Sequence, residues 1–185
     1  YFLAALLIAV TIHEFSHAFL ADRLGDPTPR LAGRVSLNPL AHLDIVGTLF
    51  LLIFHFGWGK PVPVNPRFFH SHVKDSALVS LAGPLSNFLL ALILAGILNI
   101  ISEESVFSDF LIIVFQVNLA LAIFNLLPLP PLDGSKVLGF FVPRKYQHSY
   151  EEFLNHGVIY TIVFMLFDFM VMPEIFGFSI IQEVL

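Results

Sequence analysis

The stretch TIHEFSH at residues 11–17 sets His13 and His17 four positions apart, with Glu14 between them. On a helix, residues four apart share one face, so both imidazoles can hold a single Zn²⁺ while Glu14 stands beside the open coordination position. Such a set suits peptide-bond hydrolysis. The metal makes water a nucleophile and polarises a carbonyl, and the carboxylate takes the proton of that water and passes it to the leaving amine. The bland alternative is ordinary polar residues on an amphipathic helix. The surroundings disfavour it, because the motif lies inside the apolar run YFLAALLIAVTIHEFSHAFLA, and ionisable groups in lipid cost several kcal/mol unless paired or metal-bound.

Two histidines leave a metal one protein ligand short, and the best supplier is LPLPPLDG at 127–134. Pro128, Pro130 and Pro131 prevent a regular helix there, which at membrane depth requires a protein-lined or wet cavity, and Asp133 sits at the break. Read alone, Asp133-Gly134 is equally an Asp-Gly turn at the membrane surface. Asn87, Asn118 and Asn125 lie on apolar segments. Asn118 and Asn125 are seven apart on one helix face, and either can hydrogen-bond a neighbouring helix or, for Asn125, point at the metal. In AGPLSN at 82–87, Gly83 and Pro84 are expected to open a helix. Asn87 then falls one turn inside the membrane, joining the site or gluing helices together.

The elements that must position these residues are membrane spans. Of 185 residues, 57% are hydrophobic and 12% charged, with a mean hydropathy of +0.84, values suited to an all-α, polytopic transmembrane helix bundle. Four runs reach the roughly 20 residues needed to cross a bilayer of about 30 Å: 1–22, 75–101, 108–128 and 153–172. A shorter run at 43–59 with three glycines reads as a short span or a re-entrant hairpin. If it enters and leaves on one side, all nine Lys and Arg fall on one face, which the positive-inside rule makes cytoplasmic. The same topology lets His17 and Asp133 meet, whereas a full crossing would hold them roughly 20–30 Å apart. Charge and ligand requirement therefore choose the re-entrant reading, with the site near the cytoplasmic side of a multi-pass cell-membrane protein.

The chain has no cysteine, so disulfides, thiolate metal sites and cysteine nucleophiles are excluded. Nine basic residues spread over such a chain make no nucleic-acid footprint. The partners expected are the lipid bilayer and a protein substrate. KPVPVNPRFF, at 60–69, alternates apolar residues with proline and reads as an extended edge segment. His55, His70 and His72 are assigned no role. Asp168, about one turn from the outer end of the last span, reads as reaching the interface, with a functional role as the alternative. The whole chain reads as one domain, 1–185, and because it begins at Tyr1, residues ahead of it are expected.

Together, HEFSH, AGPLSN and NLLPLPPLDG at 125–134 resemble the three signatures of the site-2 protease family of intramembrane zinc metalloproteases. LGDPTPRLAGRVSLNPLAHLDIVGTL and GWGKPVPVNPR further resemble its short bacterial members, so the likeness covers about residues 1–145. It implies one zinc per chain on His13, His17 and Asp133, Glu14 as catalytic base, and Asn125 placing substrate or stabilising the oxyanion. It also implies regulated intramembrane proteolysis of transmembrane substrates, with a small β element at the membrane near the site. Family members usually carry residues, often a further span, ahead of the HExxH helix; PDZ-like and CBS-like domains, present in some, are not seen. Two other functions fit the residues: a divalent-metal transporter, in which intramembrane His, Glu and Asp line an ion path, and an inactive relative that binds membrane partners, against which the intact Glu14 speaks.

Overall fold

The computed structural model describes residues 1–44, 46–47, 59–101 and 105–170. Its frame is three helices long and apolar enough to cross a membrane: α1 (Phe2–Arg23), α3 (His72–Ile100) and α4 (Val106–Asn125). Between α1 and α3 lie the single-turn α2 (Thr28–Leu31) and short 3-10 turns at Pro39–Ala41 and Pro66–Phe68. After α4 come α5 (Asp133–Gly139), α6 (Gln147–Asn155) and α7 (Gly157–Met170).

Local chemistry sets the ends. No proline or glycine interrupts residues 2–23, and α1 stops where Gly25 takes a φ of 105°, with Arg23 in the last turn to complement the helix dipole. Ser105 and Ser108 form a reciprocal capping box at the start of α4. The end of α4 at Asn125, short of the expected 128, follows from Pro128, which disfavours helical backbone just before it.

The core inverts the usual order of sizes. Buried positions on α1 are Ala5, Ala9, Thr11, His13, His17, Ala18 and Ala21, and its larger Phe2, Leu3, Ile8 and Phe19 face outward. Small residues let helices approach closely where lipid removes the hydrophobic drive to associate. On α3 the buried row includes Ser80, Gly83, Asn87, Ala91 and Leu94, and on α4 Val114, Asn118 and Ala122. Ala5 packs with Leu94 and Val114, whereas Ala21 packs with Val79 and Phe69. Hence α3 runs antiparallel to α1, and the connection from 24 to 71 starts and finishes at one end of the bundle.

Most of the 43–59 run lies outside the described residues, as does His55, but both ends of the run are described. Leu43 and Gly59 form an antiparallel bridge, and the Lys60 N–H donates to the His42 carbonyl (2.8 Å). Entry and exit are therefore side by side, as the re-entrant reading requires. That bridge is the β contact found among the described residues; 60–65 is extended but belongs to no strand, and it ends in the turn at Pro66–Phe68.

Three expectations are corrected. Gly83 and Pro84 do not open a helix but lie well inside α3, which begins at His72. Pro84 removes the N–H that would bond Ser80, and α3 absorbs the loss because packing on α1 and α4 supports it on both sides. The run 153–172 is not one continuous helix, because the chain breaks at His156 between α6 and α7. Gly157 starts α7 against Pro130, where a Cβ would come within 2.0 Å of the proline ring, and the Thr161 hydroxyl donates to the Pro130 carbonyl. Asp168 does not reach an interface; it is fully buried.

Candidate metal centre

His13 and His17 sit on the small-residue face of α1, roughly 15 and 9 Å from its end at Arg23 at 1.5 Å per residue. The proline-rich turn after α4 doubles back so tightly that a Cβ on Gly134 would lie 2.2 Å from the Leu126 carbonyl oxygen. This fold-back, not a surface turn, carries Asp133 under the end of α4 and onto the histidines. The His13 Nε2 to Asp133 Oδ2 distance is 3.0 Å, His17 Nε2 to the same oxygen 3.1 Å, and the two Nε2 atoms are 3.1 Å apart.

Which atoms carry protons follows from the far side of each ring. His13 Nδ1 is 2.6 Å from Asn87 Oδ1, and the Asn87 amide nitrogen donates to the Ala9 carbonyl (3.0 Å) and to Asn118 Oδ1 (2.8 Å). His17 Nδ1 is 2.6 Å from the Val79 carbonyl. Both Nδ1 atoms face acceptors and donate, so in the neutral rings, the form that binds a metal, both Nε2 atoms present lone pairs toward a carboxylate oxygen. Three acceptors converging at 3.0–3.1 Å repel one another unless a cation lies among them. Tetrahedral ligands at about 2.0–2.1 Å from zinc would stand roughly 3.4 Å apart, so a small outward movement seats the ion. The donor set fits a divalent metal.

Gly83 explains the glycine of AGPLSN. A Cβ there would lie 2.4 Å from His17 Nε2 and 2.8 Å from His13 Cε1. The imidazoles lie directly on the α3 backbone, and four residues on, Asn87 fixes the tautomer of His13. Asn118 in turn holds Asn87 and donates to the Val114 carbonyl (2.8 Å).

Beside this cluster opens a cavity of about 250 Å³ lined by His13, Glu14, His17, Asp133 and Asn125. Its opposite walls are the extended Pro61, Val62 and Val64, and Ser76, Val79 and Ser80 of α3. Asn125 donates from its side-chain amide to the Leu121 carbonyl (3.0 Å) and lines the cavity. Glu14 keeps 17% of its side chain exposed, and its Oε2 is 3.9 Å from Arg34 Nη2. Burial pulls the Arg34 guanidinium below its ordinary pKa, and the Glu14 carboxylate pulls it back up.

Thus His13, His17 and Asp133 meet, Asn87 joins them through His13, and Glu14 and Asn125 share the cavity. His70 and His72 are exposed and belong to no such cluster among the described residues. Sequence reasoning missed Arg34 and Lys136, which it treated only as loop cations. Lys136 lines the cavity three residues after Asp133, and that spacing on a short helix was the available signal.

The model of peptidase family M50 matches residues 1–109 and 94–168. YwhC of Bacillus subtilis, named as an inferred zinc metalloprotease, is 38% identical over 172 residues, covering 88% of this chain and 78% of its own. Rip2 of Mycolicibacterium smegmatis, named likewise, is 29% identical over 171 residues, 89% of this chain and 66% of its own. A protein of Methanocaldococcus jannaschii named as a zinc metalloprotease is 24% identical over 90% of this chain, which spans 42% of that relative. No solved structure matches the chain.

Proposed function

The chain belongs to peptidase family M50 and is a zinc metalloprotease, and on that premise we propose that it hydrolyses peptide bonds within or next to the transmembrane segments of membrane-anchored proteins. The carrying observation is the convergence of two imidazole lone pairs and the Asp133 carboxylate beside the Glu14 carboxylate, at one cavity inside a bundle of membrane-length helices.

His13, His17 and Asp133 would hold one zinc ion per chain, which when bound would supply Lewis acidity toward water and the scissile carbonyl. Glu14 accepts a proton from the attacking water and returns it to the leaving amine. Asn87, through the His13 Nδ1–H, keeps that ring oriented. Asn125, at the edge of the cavity, places the substrate carbonyl or stabilises the developing oxyanion. A substrate helix hides its peptide bonds in its own hydrogen-bond ladder and must unwind to be cut. The extended wall gives an unwound strand a place to lie: Pro61 and Pro63 have no N–H, and the Val62 and Val64 N–H groups find no partner among the described residues. The loops after α1, before α3 and after α4 open at one end of the bundle and carry the Lys and Arg residues, which supports a site facing the cytoplasm in the cell membrane.

The test compares wild type with Glu14→Gln on a single-span membrane substrate, with zinc content measured alongside. About one zinc in each protein, with cleavage only by the wild type, is the expected result. A cleaving Glu14→Gln, or a zinc-loaded wild type that cuts no membrane substrate, refutes the proposal.

A further inference from the structure

Arg34 is 2% exposed, an unfavourable place for a guanidinium. Its Nη1 donates to the Pro61 carbonyl (3.1 Å), and its Nη2 donates to the Lys60 carbonyl and approaches His42 Nδ1 (3.4 Å). His42 is itself fully buried and donates from Nε2 to the Ser36 carbonyl (2.7 Å), so its Nδ1 is an acceptor toward Arg34. Arg34 Nε has no hydrogen-bond partner. A glutamine amide could serve both carbonyls without a buried charge and without an unmatched Nε–H. What an amide lacks is attraction to a carboxylate, and the carboxylate within reach is Glu14, 3.9 Å away.

The two carbonyls belong to the start of the extended segment that walls the cavity. Its far end is held separately, since the Asn65 N–H donates to Asp26 (2.7 Å), a fully buried residue just after α1. The segment is thus tied at both ends, and the tie through Arg34 is the one that also touches Glu14. Resting on Glu14 as the general base, we propose that Arg34 is a positioning residue that sets the 60–64 segment at a fixed distance from the Glu14 carboxylate, so that a substrate strand lying along Val62 and Val64 reaches the base in register. Arg34 is not a metal ligand, and its partners do not include His13, His17 or Asp133.

Arg34→Gln, Arg34→Lys and Arg34→Ala in the full chain, with wild type and Glu14→Gln beside them, provide the test. All should hold about one zinc. The expected kcat falls by about 30-fold or more in Arg34→Gln and by less than about tenfold in Arg34→Lys, which keeps the charge, and added guanidinium ion should partly restore Arg34→Ala. A second readout needs neither metal nor turnover: the Lys60 amide, bonded to the His42 carbonyl, should exchange with solvent about tenfold faster in metal-free Arg34→Ala, which removes both donors, than in wild type. Equal kcat in the Lys and Gln variants at equal zinc, no response of Arg34→Ala to guanidinium, unchanged Lys60 exchange, or loss of zinc from Lys and Gln variants alike would each overturn the proposal. A cleaving Glu14→Gln would instead overturn the reading of Glu14, and the exchange result would then judge the tie to Lys60 by itself.

Discussion

Replacing Gly83 with alanine should empty the site of metal and leave the fold standing. The added Cβ would lie 2.4 Å from His17 Nε2, 2.6 Å from its Cε1 and 2.8 Å from His13 Cε1. Carbon contacts are comfortable only from about 3.5 Å, so the rings must retreat by roughly 1 Å. These are the far ends of rotatable side chains, and moving them is cheap for the protein; it is not cheap for the metal, whose ligands must be placed within about 0.2 Å. The bond from His17 Nδ1 to the Val79 carbonyl is lost or stretched in the same movement. Disturbing only the partners behind a ligand weakens metal binding about 10–100-fold, and displacing the ligand atoms themselves should weaken it by about 100-fold or more, some 2.8 kcal/mol at about 1.4 kcal/mol per tenfold. The helix meanwhile gains about 0.5–1 kcal/mol from exchanging glycine for alanine. Chelator competition should therefore give a zinc Kd raised by at least two orders of magnitude, with a metal-free melting temperature no lower than that of wild type. A Kd within about threefold of wild type, or a variant that does not fold without metal, would refute the steric argument.

The same substitution at Gly134 should act oppositely, because its Cβ would meet the Leu126 backbone at 2.2–2.4 Å rather than a side-chain tip. Thermal melting should report a loss of about 1–3 kcal/mol or more, with the metal-free protein destabilised as much as the loaded one; a site-only effect would contradict the fold-back. Asn87→Ala should raise the zinc Kd about 10–100-fold by removing the acceptor of the His13 Nδ1–H. Asn118→Ala should do less, since Asn87 keeps its bond to the Ala9 carbonyl, and the reverse order in a chelator titration would be inconsistent with this chain of support.

What could be read from the sequence was what repeats locally or what chemistry demands. The four-residue spacing of His13 and His17 requires one face, the missing third ligand pointed to Asp133, and the charge distribution made 24–71 begin and end together. What stayed hidden depends on contacts far along the chain. Gly83-Pro84 reads as a helix start because both residues punctuate local structure, yet here the glycine makes room for imidazoles 66 and 70 positions earlier. The break at His156 has only the short signal Asn155-His156-Gly157 in its own apolar run; it is fixed where Gly157 meets Pro130. Arg34 looked like one cation among nine, because nothing near it in sequence shows that its partners are the carbonyls of residues 60 and 61. The interior of α1 was also legible only in part, since alanines give no apolar periodicity in a helix whose outward residues are the larger ones.

The pairing of Leu43 with Gly59 separates what the metal centre requires from what lies between the two ends. With both ends pinned side by side, doubling the length of chain closed between them would add only about 0.6 kcal/mol of closure entropy, and none of His13, His17 and Asp133 belongs to that stretch. Mutation can then change length and composition between the pinned ends while the metal centre is held constant, so a graft of this stretch between relatives should leave the zinc Kd within about threefold of the parent's. The bundle and its metal would be inherited as one unit, and the closed stretch as another.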